Sequence, residues 1–142
     1  MNKTEKDSEK TIFEQIIDNE IPSHKICSSE NFVAFLDNFP QNPGHTLVVP
    51  KKPYENISEI PDELLGEMML LIKKLSSKIQ EAIEADGIKL IMNNGKSAGQ
   101  IVFHAHVHII PCFDGDVDTE SYNYADGEAD EVAKKIHDSI SK

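Results

Sequence analysis

His104-Ala105-His106-Val107-His108-Ile109-Ile110 places three histidines at alternate positions of one apolar run. Alternation at period two marks a β-strand, whose successive side chains point to opposite faces. His104, His106 and His108 are therefore expected on one face. Ala105, Val107 and Ile109 take the other and can be buried. Packing alone does not call for three imidazoles in a row, because each ring brings two nitrogens that need partners when buried. Imidazole is also the side chain best suited to nucleophilic, acid and base work near neutral pH. The row reads as a reaction site or a metal site.

Outward from this row, punctuation residues divide the chain. Pro111 ends the histidine strand, and Asn93-Asn94-Gly95-Lys96-Ser97-Ala98-Gly99-Gln100 precedes it as a polar loop. Further strands are expected at 25–28, 32–36, 45–49 and 88–92, bounded by turn residues. The longest helix should begin near Pro61, which is followed by Asp62 and Glu63, and stop near Gly87. Along it Leu64, Met68, Leu71, Leu75, Ile79 and Ile83 recur at helical spacing. Thr11 and Glu14 form a capping-box pattern that predicts a short helix before Pro22. Strands around one long helix indicate an α+β domain with a mostly antiparallel sheet.

The 142 residues suit one domain, with residues 1–10 a disordered lead, 11–112 the folded unit and 113–142 an acidic C-terminal extension. Residues 114–131 carry many carboxylates and no Lys or Arg, which predicts an exposed loop or arm; a short helix is expected over 129–140, with Val132, Ile136 and Ile140 on one face. A formal net charge of -11 argues against a nucleic-acid polymer or an anionic membrane as partner. A small phosphate ligand stays compatible, because backbone N–H groups and a few histidines bind one locally. The two cysteines, Cys27 and Cys112, are far apart, which predicts a reducing cytoplasm rather than a disulfide framework. No run is long enough to span a bilayer.

Three imidazoles on one face suit chemistry at phosphorus. A neutral ring nitrogen attacks, dividing a hard displacement into two easier ones. A neighbouring ring donates to a non-bridging oxygen or to the leaving atom. The loop over residues 93–100 can offer N–H groups and the Ser97 hydroxyl to phosphate, and Asp37 can accept from a ribose diol. A zinc site is the chemical rival, since two histidines two apart on a strand can bind the ion. No obvious carboxylate or cysteine completes such a site, so neither metal nor cofactor is expected.

The run resembles the histidine-triad superfamily, marked by His-x-His-x-His and two apolar residues. Further blocks are similar to its Hint branch: Thr11-Ile12-Phe13, Ile16-Ile17, Glu20-Ile21-Pro22, Ala34-Phe35, Asp37, Gly44 to Lys52, Asn93-Asn94-Gly95 and Gly99-Gln100. The resemblance implies a purine nucleotide substrate and a nucleotidyl-histidine intermediate on His106. It implies that His108 contacts phosphate and helps the leaving group, and that His104 and His45 orient the reacting rings. Asn93 would assist at phosphate, with Gly99 and Gln100 in the same loop. Asp37 would hold the ribose hydroxyls, and Ile12, Phe13, Ile16 and Phe35 would form an apolar slot for the base. A homodimer with one continuous ten-stranded sheet is implied, joined through the long helix and the strand near Ile88. The implied activity is cleavage of purine nucleoside 5′-phosphoramidates or related anhydrides. The alternatives are hydrolysis of dinucleoside polyphosphates, or nucleotide binding with vestigial catalysis. Some bacterial relatives hold a structural zinc through two cysteines; Thr11 and Glu14 stand at those positions. Ile101 stands where many relatives have a serine.

Overall fold

A computed structural model describes residues 9–116 and 121–141. The lead expected over residues 1–10 lies outside the described residues up to residue 8, as does 117–120 of the acidic run. The elements follow in the order α1 (Ile12–Ile17), β1 (Lys25–Ser28), β2 (Phe32–Leu36), β3 (Thr46–Pro50), a 3-10 turn (Ile57–Glu59), α2 (Asp62–Ile83), β4 (Gly87–Ile91), a 3-10 turn (Lys96–Ala98), β5 (Val107–Cys112) and α3 (Glu128–Ile140). All strand pairs are antiparallel, in the spatial order β1-β2-β3-β5-β4. This is the α+β class expected.

Alternation along the strands separates two apolar clusters. Phe32, Ala34, Leu36, Val48, Val107 and Ile109 join the main core, and Val33, Phe35, Leu47 and Val49 join a smaller cluster on the opposite face. Met68, Ile72, Leu75 and Ile79 of α2, spaced 4, 3 and 4 residues apart, bury the helix against the main core. Leu71, expected on that stripe, is only partly buried, and Ile72 takes the central place. On the smaller cluster α1 lays Phe13 and Ile16. Its capping box is complete: the Thr11 hydroxyl accepts the Glu14 N–H, and the Glu14 carboxylate accepts the Thr11 N–H.

Two boundaries differ from expectation. The long helix stops at Ile83, because Glu84 adopts the left-handed conformation (φ 58°) and its N–H closes on the Gln80 and Glu81 carbonyls. Gly87 therefore opens β4 rather than ending the helix. The C-terminal part is more than a solvated arm. α3 seats Ala133 and Ile136 in the main core, with Val132 and Ile140 packed beside them, so core-forming residues continue past residue 112. Hydrophobic spacing wins over acidic composition there, because one face of the helix meets α2 and β1 while Asp130, Glu131 and Asp138 are exposed. Among the described residues no helix is long and apolar enough to cross a membrane.

Candidate active site

The histidine run does not lie wholly on a strand. β5 begins at Val107, so His104 and His106 precede it and only His108 sits in the ladder, opposite Leu47 of β3 and Ile91 of β4. The cause is visible in the hydrogen bonds. The Ala105 N–H goes to the Tyr54 carbonyl, away from the sheet, and the ring of His106 donates back to the His104 carbonyl at 2.8 Å. The division of faces nevertheless holds: Ala105, Val107 and Ile109 belong to the main core, while the rings of His104 and His106 lie 5.6 and 4.9 Å from that of Phe13. His106 and His108 are neighbours at 5.1 Å, and His45 and His108 at 5.2 Å.

Partners that can only donate or only accept settle which nitrogen of each neutral ring carries the proton. A carbonyl accepts, so His106 holds its proton on Nδ1, facing the His104 carbonyl, and its Nε2 carries a lone pair. No described residue bonds that Nε2. His104 donates from Nε2 to the Pro50 carbonyl at 2.7 Å and accepts the Thr11 hydroxyl on Nδ1 at 2.7 Å. The Gln41 backbone N–H donates to Nδ1 of His45 at 3.0 Å, so His45 is protonated on Nε2. That proton points to Nδ1 of His108 at 2.9 Å, leaving the His108 proton on Nε2. One row thus presents a bare nitrogen on His106 beside an N–H on His108.

Burial keeps these rings neutral. Desolvation pushes His45, His104 and His106 below the ordinary histidine pKa. His108 is pushed down to about 4, first by desolvation, then by its neighbours His45 and His106, with Asp37 opposing. The Asp37 carboxylate lies 3.3 Å from Nε2 of His45 and 3.8 Å from Nδ1 of His108, while its other oxygen accepts the Phe39 N–H in an Asx turn.

Asp37, His45 and His108 lie close enough to share a metal ion, with one ligand atom from each within 4.8 Å of the others. The chemistry of the donors is against it. A metal needs Nε2 of His45 bare, which moves that proton to Nδ1, where the Gln41 N–H already points. Both nitrogens of His104 are likewise taken, by the Thr11 hydroxyl and the Pro50 carbonyl. The arrangement suits a relay of fixed protons.

The loop preceding the triad is braced internally. Gln100 is buried; its amide donates to the Glu55 and Val102 carbonyls at 2.6 and 3.0 Å and its oxygen accepts the Gly95 N–H at 2.8 Å. The N–H groups of Ala98, Gly99 and Gln100 close onto Gly95 and Lys96 carbonyls. The amides of Gly95, Ala98, Gly99 and Gln100 are therefore spent within the loop, contrary to their expected availability for phosphate. Gly99 takes φ +93°, a conformation only glycine adopts freely, and lies against the half-buried Asn93 amide. Phe13, Ile16 and Phe35 are buried together, whereas Ile12 is 46% exposed and is not brought into that cluster. Ile101 is 87% exposed. Sequence reasoning missed Gln41, which acts through its backbone and carries no side-chain signal, and the bond from Thr11 to His104. The capping pattern did single out Thr11, but for another role.

Comparison with known proteins identifies this architecture. The family model described as the HIT domain matches residues 18–115. An uncharacterized HIT-like protein of Saccharolobus solfataricus is 44% identical over 107 residues, 75% of this chain and 77% of that one. The adenylylsulfatase HINT3 of Arabidopsis thaliana is 36% identical over 100 residues, 70% of this chain and 51% of that one. The crystal structure of a hypothetical histidine triad nucleotide-binding protein from Sulfolobus tokodaii superposes with a TM-score of 0.84 at 39% identity, covering 92% of this chain and 91% of that one. The chain belongs to the histidine-triad family of nucleotide-binding hydrolases and transferases.

Proposed function

We propose that the protein cleaves purine nucleoside 5′-phosphoramidates, or related nucleotidyl anhydrides, through a covalent intermediate on His106. The observation that carries this is the tautomer pair: Nε2 of His106 bare because Nδ1 donates to the His104 carbonyl, beside a His108 ring protonated on Nε2. Nε2 of His106 attacks the 5′-phosphorus, the bond from phosphorus to the leaving nitrogen breaks, and a nucleotidyl-histidine forms. Neutral His108 holds a phosphate oxygen through its Nε2–H. An arriving phosphate anion raises the pKa of His108, as Asp37 does, so that the ring takes up a second proton from solvent, gives one to the leaving nitrogen and returns to neutral. Water then displaces the histidine, releasing the nucleoside monophosphate and restoring the lone pair. No step needs a metal or another cofactor.

The remaining roles are part of the same proposal. His104 aims the carbonyl that fixes His106, and His45 fixes His108. Asp37 binds the ribose hydroxyls, Asn93 and the 93–100 loop border the phosphate, and Gly99 and Gln100 hold that loop's shape. The purine is taken by the apolar side chains of Ile12, Phe13, Ile16 and Phe35. This surface reads a base by shape, so selectivity among purines is weak. Two copies pair through α2 and β4, where Met69, Leu70 and Leu90 are exposed and β4 is the sheet edge, giving one continuous ten-stranded sheet from two of five. The unpaired cysteines suit the reducing cytoplasm.

The test is turnover of an adenosine 5′-phosphoramidate with excess chelator, wild type beside His106→Ala. Wild type is expected to release AMP, and the variant to lose at least about a thousandfold in rate while still binding AMP. Turnover retained by the variant rejects the mechanism. AMP binding without turnover by either protein points to a binding module, and dinucleoside polyphosphates are then the next substrates.

A further inference from the structure

The segment beyond residue 120 has no part in the reaction just described, yet it grips the loop on which that reaction depends. Tyr122 donates its backbone N–H to the Pro40 carbonyl at 2.8 Å, and Gly44 donates its N–H to the Tyr124 hydroxyl at 3.0 Å. Both ends of the 40–44 loop are therefore held by one short stretch of chain. Between those ends lies Gln41, whose N–H sets the tautomer of His45. The segment has its own anchorage. The rings of Tyr122 and Tyr124 meet edge to face at 5.4 Å, and the Tyr122 hydroxyl donates to the Glu128 carboxylate at 2.6 Å, on the first turn of the core-anchored α3.

The loop also rests on a close fit beneath it. Gly44 has φ +89°, and a Cβ there would lie 2.9 Å from Ile83. The Asn42 amide donates to the Pro111 carbonyl at 2.8 Å. These contacts fix where the loop sits, while the tyrosine segment holds the amide of Gly44 next to His45.

The relay gives this grip a consequence. If the Gln41 N–H turns away, Nδ1 of His45 is free to take the ring proton for part of the time, against the pull of the Asp37 carboxylate 3.3 Å from Nε2, and in that tautomer Nε2 is bare. Two lone pairs would then face each other across the 2.9 Å between His45 and His108. His108 answers by moving its proton to Nδ1, which removes the N–H offered to the substrate.

We propose that the Tyr122–Tyr124 segment is a positioning strap, and that the Tyr124 hydroxyl, by holding the 40–44 loop, keeps His45 and His108 in single tautomers. The kinetic part of this role rests on the histidine-nucleophile reading above; the tautomer part does not.

The experiment uses the full chain labelled with 15N-histidine and observes ring nitrogens by NMR at pH 7.5. Three proteins are compared: wild type, Tyr124→Phe and Tyr122→Phe. Tyr124→Phe keeps the ring and loses only the acceptor for Gly44. Tyr122→Phe loses the bond to Glu128 and keeps the backbone bond to Pro40. Wild type is expected to show His45 and His108 protonated on Nε2 alone, and so is Tyr122→Phe, because its N–H to Pro40, its ring against Tyr124 and the Tyr124 bond to Gly44 hold the loop without the Glu128 contact. Tyr124→Phe should show averaged His45 shifts from two tautomers, with kcat on an adenosine 5′-phosphoramidate down about fivefold and KM unchanged, the scale of one lost hydrogen bond. Unaltered His45 signals in a folded Tyr124→Phe overturn the proposal, and so does an equal change in both variants, which would mark loss of packing only. Tautomer mixing in Tyr124→Phe alone, without turnover by any of the three, upholds the strap and removes the reaction reading instead. Should Tyr124→Phe not fold, wild type alone decides through amide exchange at Gly44: slow exchange supports the strap, and exchange at the free-peptide rate overturns it.

Discussion

The two faces of the sheet solve opposite problems with the same strands. On one, Val48, Val107 and Ile109 join Ile72, Leu75 and Ile79 in a cluster of apolar side chains, which themselves need no hydrogen bond. On the other, His104 and His106 lie beside Phe13, with His108 next to His106 and His45 next to His108, and these rings depend on groups outside themselves. Those groups are the Gln41 amide, the Pro50 and His104 carbonyls and the Thr11 hydroxyl. The apolar face is held by area, which tolerates small shifts. The histidine face is held by direction, because a ring turned or protonated wrongly loses its function even if it stays buried.

That contrast predicts different responses to damage. Leu75 is fully buried in the main core, so Leu75→Ala should cost about 3–5 kcal/mol of stability in urea unfolding. Its kcat per folded molecule should stay within twofold of wild type. A proportional fall in kcat would mean that the two faces are mechanically coupled and the contrast is wrong.

Acid should act mainly on the histidine face. His108 has an ordinary pKa near 6.5 when unfolded and about 4 when folded, so the unfolded chain binds more protons between those values. Stability from its neutral burial is complete above pH 6.5 and is lost as pH falls through 4, by up to about 3 kcal/mol. His45, His104 and His106 are shifted the same way and steepen the loss. Urea midpoints from pH 7.5 down to 4.5 measure it against His108→Gln, whose profile should be flatter across that window. Parallel profiles would place the acid sensitivity in the carboxylates.

What was legible in the sequence divides along the same line. The apolar runs at 32–36 and 45–49, bounded by turn residues, report strands, and the helical spacing from Leu64 to Ile83 reports a buried stripe, because burial of area depends on residue type and spacing. The histidine row was legible as chemistry for the same reason. Its geometry was not. That His104 and His106 fall before the strand follows from an N–H of Ala105 bonded to Tyr54, a partner far away in the chain. The role of Gln41 was invisible, since any residue has the N–H it uses. The seating of α3 was obscured by composition: Ala133 and Ile136 sit among Glu128, Asp130, Glu131 and Asp138, and the carboxylates dominate a reading by charge.

Thr11 is where the directional face borrows from an ordinary structural device. Its hydroxyl accepts the Glu14 N–H at 3.1 Å, which caps α1, and donates to Nδ1 of His104 at 2.7 Å. One oxygen therefore couples the start of a helix to the ring whose carbonyl fixes His106. Thr11→Val keeps the shape and removes both bonds, so it should cost about 1–2 kcal/mol, the scale of a lost cap. Thr11→Ser keeps both and should stay within about half of that loss. The activity readout separates the two functions of the hydroxyl. If the cap alone matters, Thr11→Val lowers stability and leaves kcat as it was. If the hydroxyl also steadies His104, kcat falls a further few-fold, and Thr11→Ser restores it. The second outcome is expected, because His104 is fully buried and Nδ1 has no other described donor. A ring that must find a new partner in that place turns the backbone that holds the nucleophile.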